Sequence, residues 1–92
     1  MANALVLPAT LTLNQANAFV LAQSKVIAAD AAAQVTVDAS ALNQFDSSAL
    51  AALLALRREA LGAGKTFWVT GKSRRLHDLA ALYGVESLLG AG

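Results

Sequence analysis

The chain contains no cysteine. That excludes disulfides, thiol catalysis and thiolate zinc sites, and it allows a reducing compartment. Histidine is nearly absent too. His77 stands alone, with no second His or Cys to share a metal and no acid–base partner at a telling spacing, and reads as a helix-surface residue. Charge is scarce. Asp, Glu, Lys and Arg make up 14% of the residues and the net charge is +1, so no strong basic face exists and nucleic-acid binding through phosphate neutralisation is not expected. The carboxylates Asp30, Asp38, Asp46, Glu59, Asp78 and Glu86 are dispersed, with no pair at catalytic spacing and no Ser-His-Asp set. No catalytic residue, metal site or cofactor site is expected. Long apolar runs are missing as well. The longest, Ala49 to Leu56, is far too short to span a bilayer. The first eight residues carry no basic n-region, and their apolar run stops at Pro8, the only proline. A signal peptide is not expected, and the default reading is a soluble cytoplasmic protein without membrane insertion.

What remains is a short chain rich in alanine and leucine. Its 92 residues make one domain, 1–92, with one modest core and little left over for a deep cleft. Much of the surface must be small and neutral, which is a common property of a surface with a protein partner.

The pattern along the chain alternates strand and helix. Ala4 to Leu7 reads as a strand ended by Pro8, with Thr10 to Thr12 as a prolongation. Thr12-Leu13-Asn14-Gln15 has the capping-box spacing and opens a helix running to about Ala29. Ala16, Phe19, Val26 and Ile27 fall on its inner side, with Ala22 and Gln23 near it. Val35-Thr36-Val37 is a β-branched strand ending at Asp38, and Ala39 to Phe45 reads as a loop. A second helix spans about Ser47 to Leu61. Leu50, Leu53, Leu54, Ala60 and Leu61 share one face, while Ser48, Ala51, Ala52, Ala55, Arg58 and Glu59 form the other. Thr66 to Thr70 is the strongest strand, ended by Gly71. Ser73 caps a third helix with Leu76, Leu79, Ala80 and Tyr83 at helical spacing, closed by Gly84. The order β-α-β-α-β-α points to an α/β domain with a mostly parallel sheet and right-handed crossovers.

Two candidate motifs weaken on inspection. Gly71-Lys72-Ser73 follows a strand and precedes a helix, as in a phosphate-binding loop. The glycine that loop needs five residues earlier is Thr66, inside the strand, so the cradle of backbone N–H groups is absent. Arg74 and Arg75 open the third helix, where positive charge opposes the macrodipole. A solvated basic turn accounts for them, with an acidic partner as the alternative.

The polar chemistry concentrates in Asp46-Ser47-Ser48-Ala49-Leu50, at the start of the second helix. N-capping accounts for one polar residue there and less well for three in succession. The outward residues Ala51, Ala52 and Ala55 extend the site into a flat strip that another backbone could approach closely. Phosphate on Ser47 or Ser48 would bring about −1.5 to −2 charge to the positive helix end. On the residues alone, a plain cap and a docking surface both stand.

At these residues the chain resembles the STAS domains (sulfate transporter and anti-sigma factor antagonist), whose signature is a strand followed by Asp-Ser/Thr-Ser/Gly-Gly-Leu opening a helix. The resemblance covers nearly the whole chain. Within the family it is most similar to MlaB-type subunits of the phospholipid ABC transporter that maintains outer-membrane lipid asymmetry. Two features carry this: the compact start, and the ending Leu79-Ala80-Ala81-Leu82-Tyr83-Gly84-Val85, which resembles the Leu-Ala-x-Leu-Tyr ending of those subunits. The resemblance implies a non-catalytic cytoplasmic domain, peripheral at the inner membrane, that docks on the transporter's ATPase subunit. It places Ser47 in or near that contact, with Asp46, Ser48, Ala49, Ala51, Ala52 and Ala55 around it. The alternative it implies is an anti-sigma factor antagonist, in which an anti-sigma kinase phosphorylates Ser47. Ala49 stands where the signature has Gly. Its methyl is expected to restrict close approach at the helix start, which favours a fixed docking surface over a kinase switch.

Overall fold

Three short strands run parallel, with the middle one in sequence also the middle one in space. In a computed structural model describing residues 5–89, β1 (Leu5–Val6), β3 (Gln34–Asp38) and β5 (Thr66–Thr70) form a sheet in the order β1-β3-β5. Leu5 lies opposite Val37, and Val37 lies opposite Val69. Period-two alternation then decides the faces. Leu5, Val35, Val37, Phe67 and Val69 are buried in the core, whereas Val6 and Trp68 on the other face are exposed. Ala4, included in the first expected strand, lies outside the described residues.

Helices α1 (Leu13–Ala29), α2 (Ser47–Gly62) and α3 (Arg74–Leu82) contribute side chains to the same single core, and a 3₁₀ turn at Glu86–Leu89 closes it with Leu89. The alternating order and the parallel pairing agree with the α/β architecture expected from the sequence. The capping residues also sit as expected. At the start of α1 the Gln15 amide oxygen accepts from the Thr12 N–H at 2.9 Å and from the Thr12 hydroxyl at 2.6 Å. At the start of α3 the Ser73 hydroxyl oxygen accepts from the Leu76 N–H at 3.1 Å.

Thr10–Leu11 is not a prolongation of the first strand, and the segment 39–45 is not all loop. Thr10–Leu11 (β2) pairs in parallel with Gln44–Phe45 (β4) as a separate two-residue ladder. After the Leu7 N–H bonds to the Asp38 carbonyl at 2.9 Å, Pro8 has no N–H to offer and the chain leaves the main sheet. The Ala9 carbonyl then receives the N–H groups of Asn43 and Gln44, at 2.8 and 2.9 Å. Leu11 is fully buried and anchors this corner.

Helix α2 is the most enclosed element. Ala49, Leu50, Ala52, Leu53, Leu56 and Ala60 are all buried. Ala52, expected on the outward face, is only 2% exposed. It lies with Ala16 of α1 in the contact between the two helices. A wheel drawn for one buried face misses this, because α2 packs against the sheet and against α1 at once. Small residues let the helix backbones approach closely there. Leu61, assigned to the inner face, is 48% exposed at the helix end, and Val26 of α1 is likewise turned outward. In α1 only Ala16 and Ile27 are fully buried, with Phe19 and Val20 packed against the core, a stripe too narrow to reach Val26.

Lys65 is the one buried charged residue among the described residues. Its ammonium donates to the Asp30 carbonyl and, at 2.8 Å, to the Ala32 carbonyl, just beyond the C-terminus of α1. Cationic charge is favoured at that end of a helix. The contact ties the α1–β3 connection to the start of β5.

Two stability predictions follow from this packing. Ala52→Arg drives a guanidinium into the α1–α2 contact and should lower unfolding free energy by about 3 kcal/mol, read by urea denaturation. Lys65→Met strips two carbonyls of their donor and should cost roughly 2 kcal/mol in the same assay.

Candidate functional site

Asp46 adopts an extended conformation and caps α2 by itself. Its Oδ1 accepts from the Ser48 N–H at 2.8 Å, and its carbonyl accepts from the Ala49 N–H at 3.0 Å. The cap therefore uses the carboxylate and not the neighbouring hydroxyls. Among the described residues no hydrogen bond holds the hydroxyl of Ser47 or Ser48. Ser47 is exposed and Ser48 half-buried. The polar cluster thus divides into one structural residue and two available hydroxyls.

Ser47 stands between two shallow depressions. One, of about 290 Å³, is apolar and bounded by Leu50, Ala51, Leu54, Tyr83 and Val85. The other, of about 360 Å³, is bounded by Phe45, Asp46, Arg75, Asp78, Leu79 and Leu82. The end of α3 therefore joins the start of α2 in one surface. Leu82 is 79% exposed there and Tyr83 58%. Sequence reasoning missed this half of the site and placed Tyr83 on an inner stripe. Tyr83 is the C-cap of α3, and the chain turns immediately after it through Gly84 at φ +70°. A side chain at a helix end is not bound to the face its spacing suggests. Two large apolar residues directly before a helix-closing Gly were the signal that could have found it.

The small-residue strip along α2 is broken up by α1. Ala51 is exposed, whereas Ala55 is half-buried and lines a groove between the helices together with Ala52 and Ser48. Ala49 has no exposed surface at all. No residue other than glycine has a positive φ among the described residues, so Ala49 sits in α2 without strain. Its methyl points into the core rather than across the helix start. The expectation that this methyl restricts a partner's approach, and so disfavours a kinase, is thereby corrected.

The Gly71-Lys72-Ser73 turn has its space already filled. Gly71 adopts φ +69°, and a Cβ placed there would lie 3.0 Å from Ser40 Cβ and 3.2 Å from Asp38 Oδ1. A carboxylate at the turn repels phosphate rather than attracting it. The Ser40 hydroxyl and backbone N–H, the latter donating at 2.9 Å, hold the Asp38 carboxyl below the usual carboxylate range. Partial burial pushes the Lys72 ammonium down. His77 is exposed, and no group of three or more His, Cys, Asp or Glu residues is placed to hold a metal ion among the described residues. No helix among the described residues is long and apolar enough to cross a membrane.

Both arginines of the basic turn are exposed, and each has a partner. Arg74 meets Asp78 at 3.8 Å with both side chains well exposed, a pair of little energetic weight. Arg75 instead reaches back across the site. Its guanidinium lies 4.4 Å from the centroid of the Phe45 ring and donates to the Asn43 carbonyl at 3.1 Å.

A family model described as Mlab, STAS domain matches residues 2–90. The chain belongs to the STAS domain family. No curated protein and no solved structure matches it.

Asp46→Ala should cost about 1 kcal/mol of stability through loss of the cap, while Ser47→Ala and Ser48→Ala should each change it by less than about 0.5 kcal/mol, by thermal or chemical denaturation.

Proposed function

We propose that the chain is a non-enzymatic STAS subunit that binds and supports the ATPase subunit of a phospholipid-transporting ABC complex. In this reading it is cytoplasmic and peripheral at the inner membrane through that complex. The observation that carries the reading is the placement of Ser47. It is exposed, its hydroxyl is not used by the helix cap, and it lies between two open depressions beside exposed Leu82 and Tyr83. Paired apolar residues around a polar centre suit a protein contact better than a small ligand, because neither depression is enclosed. The resemblance of Leu79 to Val85 to the ending of MlaB-type subunits is what points to an ATPase subunit as the partner. The contact surface is Ser47, Ala51 and Leu54 of α2 with Leu82 and Tyr83 of α3. Asp46 is exposed at its edge, Ala49 supports it from beneath the helix start, and Ser48, Ala52 and Ala55 form its flank toward α1.

A second reading, an anti-sigma factor antagonist, draws on the same hydroxyl. An exposed, unbonded Ser47 in the first turn of a helix is what a phosphoacceptor requires, and phosphate would be favoured by the macrodipole there.

Ser47→Glu and Leu82→Gln should each reduce binding to the ATPase subunit roughly tenfold or more, with circular dichroism and melting temperature close to wild type. Undiminished co-purification of both variants would sink the docking reading. For the second reading, incubation with the anti-sigma kinase and ATP should add one phosphate by mass to the wild type and none to Ser47→Ala.

A further inference from the structure

Arg75 sits where electrostatics alone would not place it. It is the second residue of α3, against the positive end of the helix dipole. Its two contacts offset that cost. The guanidinium stacks on Phe45 and donates to the Asn43 carbonyl, so it grips two residues of one short segment. That segment ends at Asp46 and Ser47. Phe45 packs against the core and Leu42, just before the segment, is buried, but the segment's polar ties are few: a ladder only two residues long, the Ala9 carbonyl, and a long 3.3 Å contact from the Thr10 hydroxyl to Gln44. Arg75 also lines the depression shared by Ser47 and Leu82. The start of α2 and the body of α3 are thus joined across the candidate surface by one side chain.

We propose that Arg75 is a positioning residue for the Ser47 surface, holding the corner before α2 against α3 so that the depression between them is preformed. Preforming a contact surface removes an ordering cost from binding. The role needs arginine specifically. Its flat guanidinium can lie on a ring and present a fork to a carbonyl at once, which a compact lysine ammonium cannot. The inference rests on the docking reading for its purpose but not for its geometry.

Amide hydrogen exchange on the full chain tests it without any partner. In Arg75→Ala, the N–H groups of Asn43, Gln44 and Ser48 should exchange about tenfold faster, while those of Leu53 and Leu56 in the core of α2 keep their rates. Arg75→Lys should show the same local loss. Phe45→Leu should accelerate exchange more in the wild-type chain than when added to Arg75→Ala, because the stacking it removes is already lost there. Unchanged rates at the corner, rescue by lysine, or uniform acceleration through the whole domain would overturn the proposal. The ATPase subunit then serves as a second probe. Arg75→Ala should weaken its binding about tenfold, and by clearly less in the Phe45→Leu background, where only the Asn43 contact is left to lose. Fully additive losses would mean that Arg75 touches the partner directly, and would overturn the positioning role. If the wild-type chain shows no binding, the docking reading fails, and the exchange pattern still decides whether Arg75 holds the corner before α2.

Discussion

Everything in this domain hangs on the double packing of α2. Leu53 and Leu56 are wholly buried, and Ala52 closes the contact with α1. An isolated helix of sixteen residues rich in alanine is marginal in water, so tertiary burial has to hold it. Once held, its first turn cannot shift without disturbing the core at Ala49 and Leu50. The candidate site therefore rests on a rigid element although it stands at the surface.

That first turn shows a division of labour. One carboxylate, Asp46, satisfies the helix end, and the two serines beside it are left over. Residues that stability does not require are where a surface function can reside. The depressions around Ser47 are completed from the far end of the chain by Leu82 and Tyr83, and the corner leading into the turn is gripped by Arg75. The candidate surface, assembled from α2, α3 and β4, draws its shape from the fold rather than from any one motif. The match to the STAS family spans all three of these elements.

Most of the architecture was legible because local physics agreed with it. The capping box at Thr12 and Gln15, the β-branched strand at Val35, and the closing glycines Gly71 and Gly84 each act within a few residues. Other features were not legible, for identifiable reasons. The β2–β4 ladder has two residues per strand, too few for periodicity to register. Ala52 was assigned outward because an alanine suits solvent and close packing equally well, and only a second helix beside it decides which. Tyr83 was assigned inward because the wheel assumes a helix that continues, whereas the chain turns at Gly84.

The sequence by itself determined the alternation of the main strands and helices, the helix caps and the polar cluster Asp46, Ser47 and Ser48 of the candidate site, since these depend on interactions between near neighbours. It also excluded disulfides and thiol catalysis, because cysteine is absent. The tertiary structure decided which face of α2 is available, sent the Ala49 methyl inward, and brought Leu82, Tyr83 and Arg75 to Ser47. Those outcomes depend on where distant segments come to rest against each other, and no local spacing encodes that.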